Sequence, residues 1–165
     1  MMRIRTRTIG ATLALGVGVG LFGCGNAAEE LAERAIEEGT GGDVEISEDG
    51  VTIIDEDGNE LRVGEAAEVP DTWPSDVPVP TGTVVSATTA GGASTLLVTV
   101  DEEPQPTFTS IDVELTGNGW NQLSTSDLGG EYGAAYEQDG RSVFVTVLSD
   151  GSGGSSVSIA VDSAG

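Results

Sequence analysis

Residues 104–120 read PQPTFTSIDVELTGNGW, and the fold class turns on whether that stretch is helix or strand. Phe108, Ile111 and Leu115 fall at i, i+3 and i+7, the spacing of one helical face. Pro104 and Pro106 suit a first helical turn, where a missing N–H costs no intrahelical bond. The opposing reading has material of its own. Ile111, Val113 and Leu115 alternate with Asp112 and Glu114, and Thr, Val and Ile favour extended backbone. On that reading Gly117-Asn118-Gly119 turns a hairpin into Trp120-Asn121-Gln122-Leu123. Local propensity by itself prefers the strand.

On both sides of this segment the chain is β-rich. Downstream, Val143, Val145 and Val147 alternate in one run and Val157, Ile159 and Val161 in another, joined by Asp150-Gly151-Ser152-Gly153-Gly154. The stretch Tyr132–Glu137, ending in Gln138-Asp139-Gly140, is the expected partner of 142–148. Upstream, 84–88 and 95–100 are β-branched runs joined by the hairpin signal Ala90-Gly91-Gly92-Ala93. Residues 83–162 are thus the main domain. Before it, 64–82 is a linker stiffened by Pro70, Pro74, Pro78 and Pro80, with Trp73 expected to pack as a lid where the chain enters the domain.

Residues 44–63 form a short β-meander around the turns Glu48-Asp49-Gly50 and Asp55-Glu56-Asp57-Gly58-Asn59. Three short strands are marginal alone, so they pack on a neighbour or stay loosely ordered. Residues 24–43 are a spacer whose part 26–38 (NAAEELAERAIEE) is a helix. Asn26 is its N-cap, Glu30–Arg34 and Arg34–Glu38 are i,i+4 pairs, and Gly39 is its stop.

The first 23 residues have the anatomy of an export signal: Arg3, Arg5 and Arg7, an uncharged run from Thr8 to Gly23, and small residues near its end. That run has 16 residues and five glycines, short of the ~20 apolar residues a membrane-spanning helix needs. A later cut near Ala27-Ala28 would discard Cys24, the only cysteine, and leave Leu21-Phe22-Gly23 before it unexplained. Leu21-Phe22-Gly23-Cys24 resembles the lipobox of bacterial lipoproteins, with Phe22 standing where that family usually has a small or β-branched residue. The resemblance implies cleavage after Gly23, acyl chains on Cys24, and attachment to the extracytoplasmic face of the cell membrane. With one cysteine, an internal disulfide is excluded.

A second resemblance covers about residues 70–162. The order Trp73-Pro74, Pro78, Pro80 and Gly82, then two strands, then an amphipathic segment with Ile111 and Leu115 ending at Gly119-Trp120, looks like envelope lipoproteins of high-GC Gram-positive bacteria. In those proteins the segment before Gly-Trp usually reads as a helix. The resemblance therefore implies a helix over 104–119 and an α+β fold: a small antiparallel sheet with one packed helix, preceded by the spacer helix and the meander. These motifs are architectural and carry no activity with them.

Composition limits the chemistry. Residues 24–165 hold all 28 acidic residues against three arginines, a net charge of −25, and the chain has no Lys or His. Nucleic acid is excluded as a partner, since phosphate binding needs basic side chains that displace counterions. Anionic headgroups repel such a body too, which leaves the acyl chains on Cys24 to hold the membrane. The same acidity is shared by proteins adapted to high salt and by exposed extracellular surfaces. A Ser or Thr nucleophile lacks its usual bases, no phosphate-cradling loop appears, and zinc lacks ligands. No cofactor is expected. Asp55, Asp57 and Asn59 are faint calcium candidates, but Gly58 falls fourth in their loop where an EF-hand has it sixth. The expectation is a non-enzymatic, lipid-anchored envelope protein that binds a ligand or an envelope protein partner. A solute-capturing lipoprotein serving a transporter or envelope enzyme is the first alternative, and a hydrolase working through carboxylates alone is the second.

Overall fold

The computed structural model describes Arg34 and residues 42–47, 49–64 and 67–162. Apart from Arg34, which is helical, the spacer-helix expectation lies outside these residues, as do the signal and lipid-attachment expectations, Leu21 to Cys24 included. In chain order the elements are β1 (Asp43–Ser47), β2 (Gly50–Ile54), β3 (Glu60–Gly64), β4 (Thr83–Ala90), β5 (Ala93–Val100), α1 (Pro104–Gly117), β6 (Asn121–Asp127), β7 (Tyr132–Gln138), β8 (Arg141–Ser149) and β9 (Ser155–Asp162). The stretch 104–117 is a helix. Its buried stripe is Thr107, Ile111 and Leu115 at i, i+4 and i+8, with Phe108 packed beside it. Gly119, at φ +95°, carries the chain out of the helix, and the Gly119 N–H bonds the Thr116 carbonyl.

All nine strands join one antiparallel sheet in the order β1-β2-β3-β4-β5-β9-β8-β7-β6. This corrects the expected size: the sheet is not small, and from residue 42 onward the described residues are mainly β, with the single helix 104–117. The meander is why. β3 pairs antiparallel with β4, so 44–63 extends the same sheet. Because every neighbouring pair from β5 through β6 is antiparallel, β5 and β6 run parallel, and α1 is the crossover between them.

Alternation along the strands sends every second side chain beneath α1. One row across the sheet on this inner face reads Ala134, Val145, Ile159, Leu96 and Ala87; the next reads Tyr132, Val147, Val157, Val98 and Val84. Leu96, Val98, Val143, Val147, Val157 and Ile159 are wholly buried. In the meander the apolar side chains lie on the opposite face. Leu61 pairs Thr88 and Val63 pairs Ser86, both outward, whereas Arg62 pairs the inward Ala87. Ile159→Ala is expected to cost about 2–5 kcal/mol by urea denaturation, the range for a wholly buried aliphatic truncation. Val113→Ala, on the exposed side of α1, should change stability by about 0.5 kcal/mol or less.

Candidate functional site

Two polar constellations flank α1, one at each end, and they do different work. At its C-terminal end lies the Trp-Pro motif. Two successive turns, Trp73 N–H to the Pro70 carbonyl and Val77 N–H to the Pro74 carbonyl, fold 70–77 into a strap. Trp73 is half-buried against the core and its Nε1–H donates to the Val77 carbonyl at 3.0 Å, while Val77 itself is buried in the core. The backbone carbonyl of Asp76 accepts from Trp120 Nε1 at 3.1 Å and from Asn118 Nδ2 at 3.0 Å. The Asp76 carboxylate takes the Arg141 guanidinium in a two-pronged ion pair. Arg141 also donates to Gln138 Oε1 at 3.2 Å and stacks 4.8 Å above the Trp120 ring. Gln138 returns a bond to the Asn118 carbonyl at 3.1 Å.

This clasp joins the strap, the end of α1 and the β7–β8 turn. It accounts physically for the Trp-Pro and Gly-Trp residues, and it is a structural device. Beside it, Asp112 on α1 accepts from the Tyr136 hydroxyl at 2.7 Å and from Gln122 Nε2 at 2.8 Å, tying helix to sheet and to the edge strand β6. Burial, reinforced by the neighbouring Asp112, holds the Tyr136 phenol far above its ordinary range, so it serves as a fixed donor.

At the other end of α1 an open cleft of about 470 Å³ lies between the helix start and two glycine loops. Its lining includes Glu103, Gln105, Glu131 and Tyr132, with Gly129, Gly130, Gly153 and Gly154 at its rim. The Tyr132 ring stacks on Phe108 at 5.5 Å, which fixes one aromatic wall. Beneath the helix start, Ser155 Oγ donates to the Glu102 carbonyl at 2.7 Å and lies 3.1 Å from Thr107 Oγ1. Asp150 shapes the second loop by accepting from the Ser152 and Gly154 N–H groups, and those bonds, the Ser152 one foremost, lower its pKa. Pro104 and Pro106 carry no N–H, so little of the usual anion-binding capacity of a helix start remains. With two carboxylates lining it and no salt bridge to either among the described residues, the cleft suits neutral or cationic ligands.

The sequence-based calcium candidates form a hydrogen-bonded turn. Asp55 Oδ1 accepts from the Asp57 and Asn59 N–H groups, at 3.0 and 2.8 Å, and Oδ2 accepts from Asn59 Nδ2 at 2.7 Å. The Asn59 bonds hold the Asp55 carboxyl below its ordinary range. The Asn59 Oδ1 meanwhile accepts from Gly91 N–H, linking the turn to the β4–β5 hairpin. Among the described residues no three His, Cys, Asp or Glu side chains cluster as metal ligands, and no helix is long and apolar enough to cross a membrane. Neither the clasp nor the cleft is visible in the sequence as a set, because Asp76 and Arg141 stand 65 residues apart. The Pro-flanked Trp73 and the Gly119-Trp120 pair were the available signals. Set against known protein families, curated proteins and solved structures, the chain has no match in any of the three.

The clasp yields a pH prediction. Arg141 holds the Asp76 carboxyl below its usual value of 3.8, so the folded chain resists protonation there more than the unfolded chain does. That stabilisation is complete above the unfolded pKa and is lost as pH falls through the lower, folded one. Asp76→Asn is expected to cost about 1–2 kcal/mol at pH 7, scaled down for partial solvent exposure. As pH falls below 3.8 and through the lower folded value, the urea midpoints of variant and parent should converge. A gap unchanged across that range would show that the ion pair is not its source.

Proposed function

We propose that the protein is a lipid-anchored cell-envelope protein, non-enzymatic, whose β domain binds a ligand or partner at the extracytoplasmic face. The observation that carries this reading is the placement of the single cysteine after Leu21-Phe22-Gly23, behind a basic and then an uncharged segment, in front of a body of net charge −25. Such a body gains nothing from anionic headgroups, so the acyl chains on Cys24 supply the attachment.

The polar groups of the domain support binding over catalysis. Asp76, Arg141, Asp112, Tyr136 and Asp150 are each committed to bonds that hold the fold. The cleft offers carboxylates, a phenol, an amide and the Ser149 hydroxyl, and that hydroxyl accepts from the Gly151 N–H with no hydrogen bond to a carboxylate among the described residues. Its volume lies within the ~300–1,000 Å³ of small-molecule sites, which supports solute capture for a transporter or envelope enzyme as the second reading.

Cells expressing the full chain and fed a radiolabelled or alkynyl palmitate should label the protein, and Cys24→Ala should abolish the label. The variant is expected to move from the detergent phase to the aqueous phase on Triton X-114 partition, with an unchanged melting temperature. Persistent labelling of Cys24→Ala would remove the basis for the anchor.

A further inference from the structure

The face of the sheet turned away from α1 has a chemistry of its own, and nothing in the clasp or the cleft uses it. Across β6, β7, β8, β9, β5 and β4 one outward row reads Ser124, Ala135, Phe144, Ala160, Thr95 and Thr88. The adjoining row reads Ser126, Gly133, Thr146, Ser158, Leu97 and Ser86, and a third holds Leu148, Ser156, Thr99 and Thr83. In a chain with 28 acidic residues, none of these three rows carries an ionisable side chain. Glu137 and Asp162 stand in the next row, at one border. Phe144 is 56% exposed in the middle of this field. Its cross-strand neighbours on both sides are alanines, which stop short of its ring. The hydroxyls of Thr95, Thr146, Ser156 and Ser158 make no hydrogen bond within the described residues, and Thr95 and Thr146 are exposed.

Resting on the reading of the domain as a binding module, we propose that this outer face binds neutral polysaccharide. A pyranose ring has an apolar face of C–H groups and a rim of hydroxyls. The first can lie on the Phe144 ring, and the second can exchange hydrogen bonds with Ser and Thr side chains set about 4.8 Å apart across the strands. Polymers bearing phosphates or uronates are repelled by a body of charge −25, whereas a neutral glycan meets an uncharged field. A protein partner fits less well. Stable protein interfaces bury ~800 Å² per side around an apolar core; in these three rows the exposed large apolar side chains are Phe144 and Leu148, and Val63 of β3 continues the face beyond Ser86.

The test is affinity electrophoresis of the full chain, purified in detergent, through gels containing soluble neutral glucans, galactomannan, or polygalacturonate as the anionic control. At least one neutral polymer should retard the protein, and Phe144→Ala should weaken retardation roughly tenfold, the scale of one lost ring contact. Phe144→Tyr should retain it, and Thr146→Val should show an intermediate loss. Phe144 is exposed, so matching melting curves for Phe144→Ala keep the comparison clean. Retardation by none of the neutral polymers, equal retardation of Phe144→Ala, or retardation by polygalacturonate alone would overturn the proposal. Palmitate labelling reads the anchor separately, so a failed glycan test alongside intact labelling rejects this ligand and leaves the anchored module standing.

Discussion

The governing constraint on this fold is coverage: one helix has to shelter an apolar sheet face wider than itself. Strands β5, β9, β8, β7 and β6 span about 19 Å at their usual spacing, and a helix with its side chains is ~10–12 Å across. The Pro-rich strap closes the remainder. Val77 joins the core, Trp73 packs at its margin, and Pro78, Val79 and Pro80 run alongside Ile111 and Glu114 of α1. Residues 64–82 therefore do more than connect. Turns at Pro70 and Pro74 fold the strap, and the Asp76 backbone and carboxylate fasten it where α1 ends.

That arrangement divides the molecule's polar chemistry. Under and around α1, buried polar groups are satisfied within the chain: Ser155 by Glu102, Tyr136 by Asp112, Trp120 by Asp76. Among the described residues no buried side-chain nitrogen or oxygen lacks a partner. Groups available to other molecules lie elsewhere, in the acidic cleft at the helix start and on the uncharged outer face. The two surfaces differ in charge and shape: one is a cleft lined by carboxylates, the other a sheet face without them.

Much of the strand content was legible because the Val-rich runs alternate cleanly, and the two hairpins at Gly91-Gly92 and Gly140 have glycines where the turns need them. The extent of the sheet was not legible. The meander turns its apolar side chains to the opposite face from the main core, so its pattern says nothing about which strand it joins. β6 hid for another reason. Asn121–Asp127 is exposed at every position and polar at all but Leu123, and its strand geometry comes from pairing with β7. The 104–117 helix holds five Thr, Val and Ile residues among its fourteen, so propensity pointed away from it while the stripe of Thr107, Ile111 and Leu115, anchored by tertiary contact, prevailed. Of the candidate sites, the lining of the cleft comes from three separate segments, and no local spacing encodes it.

The position of β9 has a kinetic meaning. Last in chain order of the described strands, it lies in the interior of the sheet, between β5 and β8. The hairpins β4–β5 and β7–β8 can form from local contacts, but they share no edge until residues 155–162 insert between them. Closing the loop from β5 to β9 spans more than half of the main domain, which sets a long search for the event that unites it. A chain interrupted a few residues early would lose the keystone of its sheet and expose two half-cores at once.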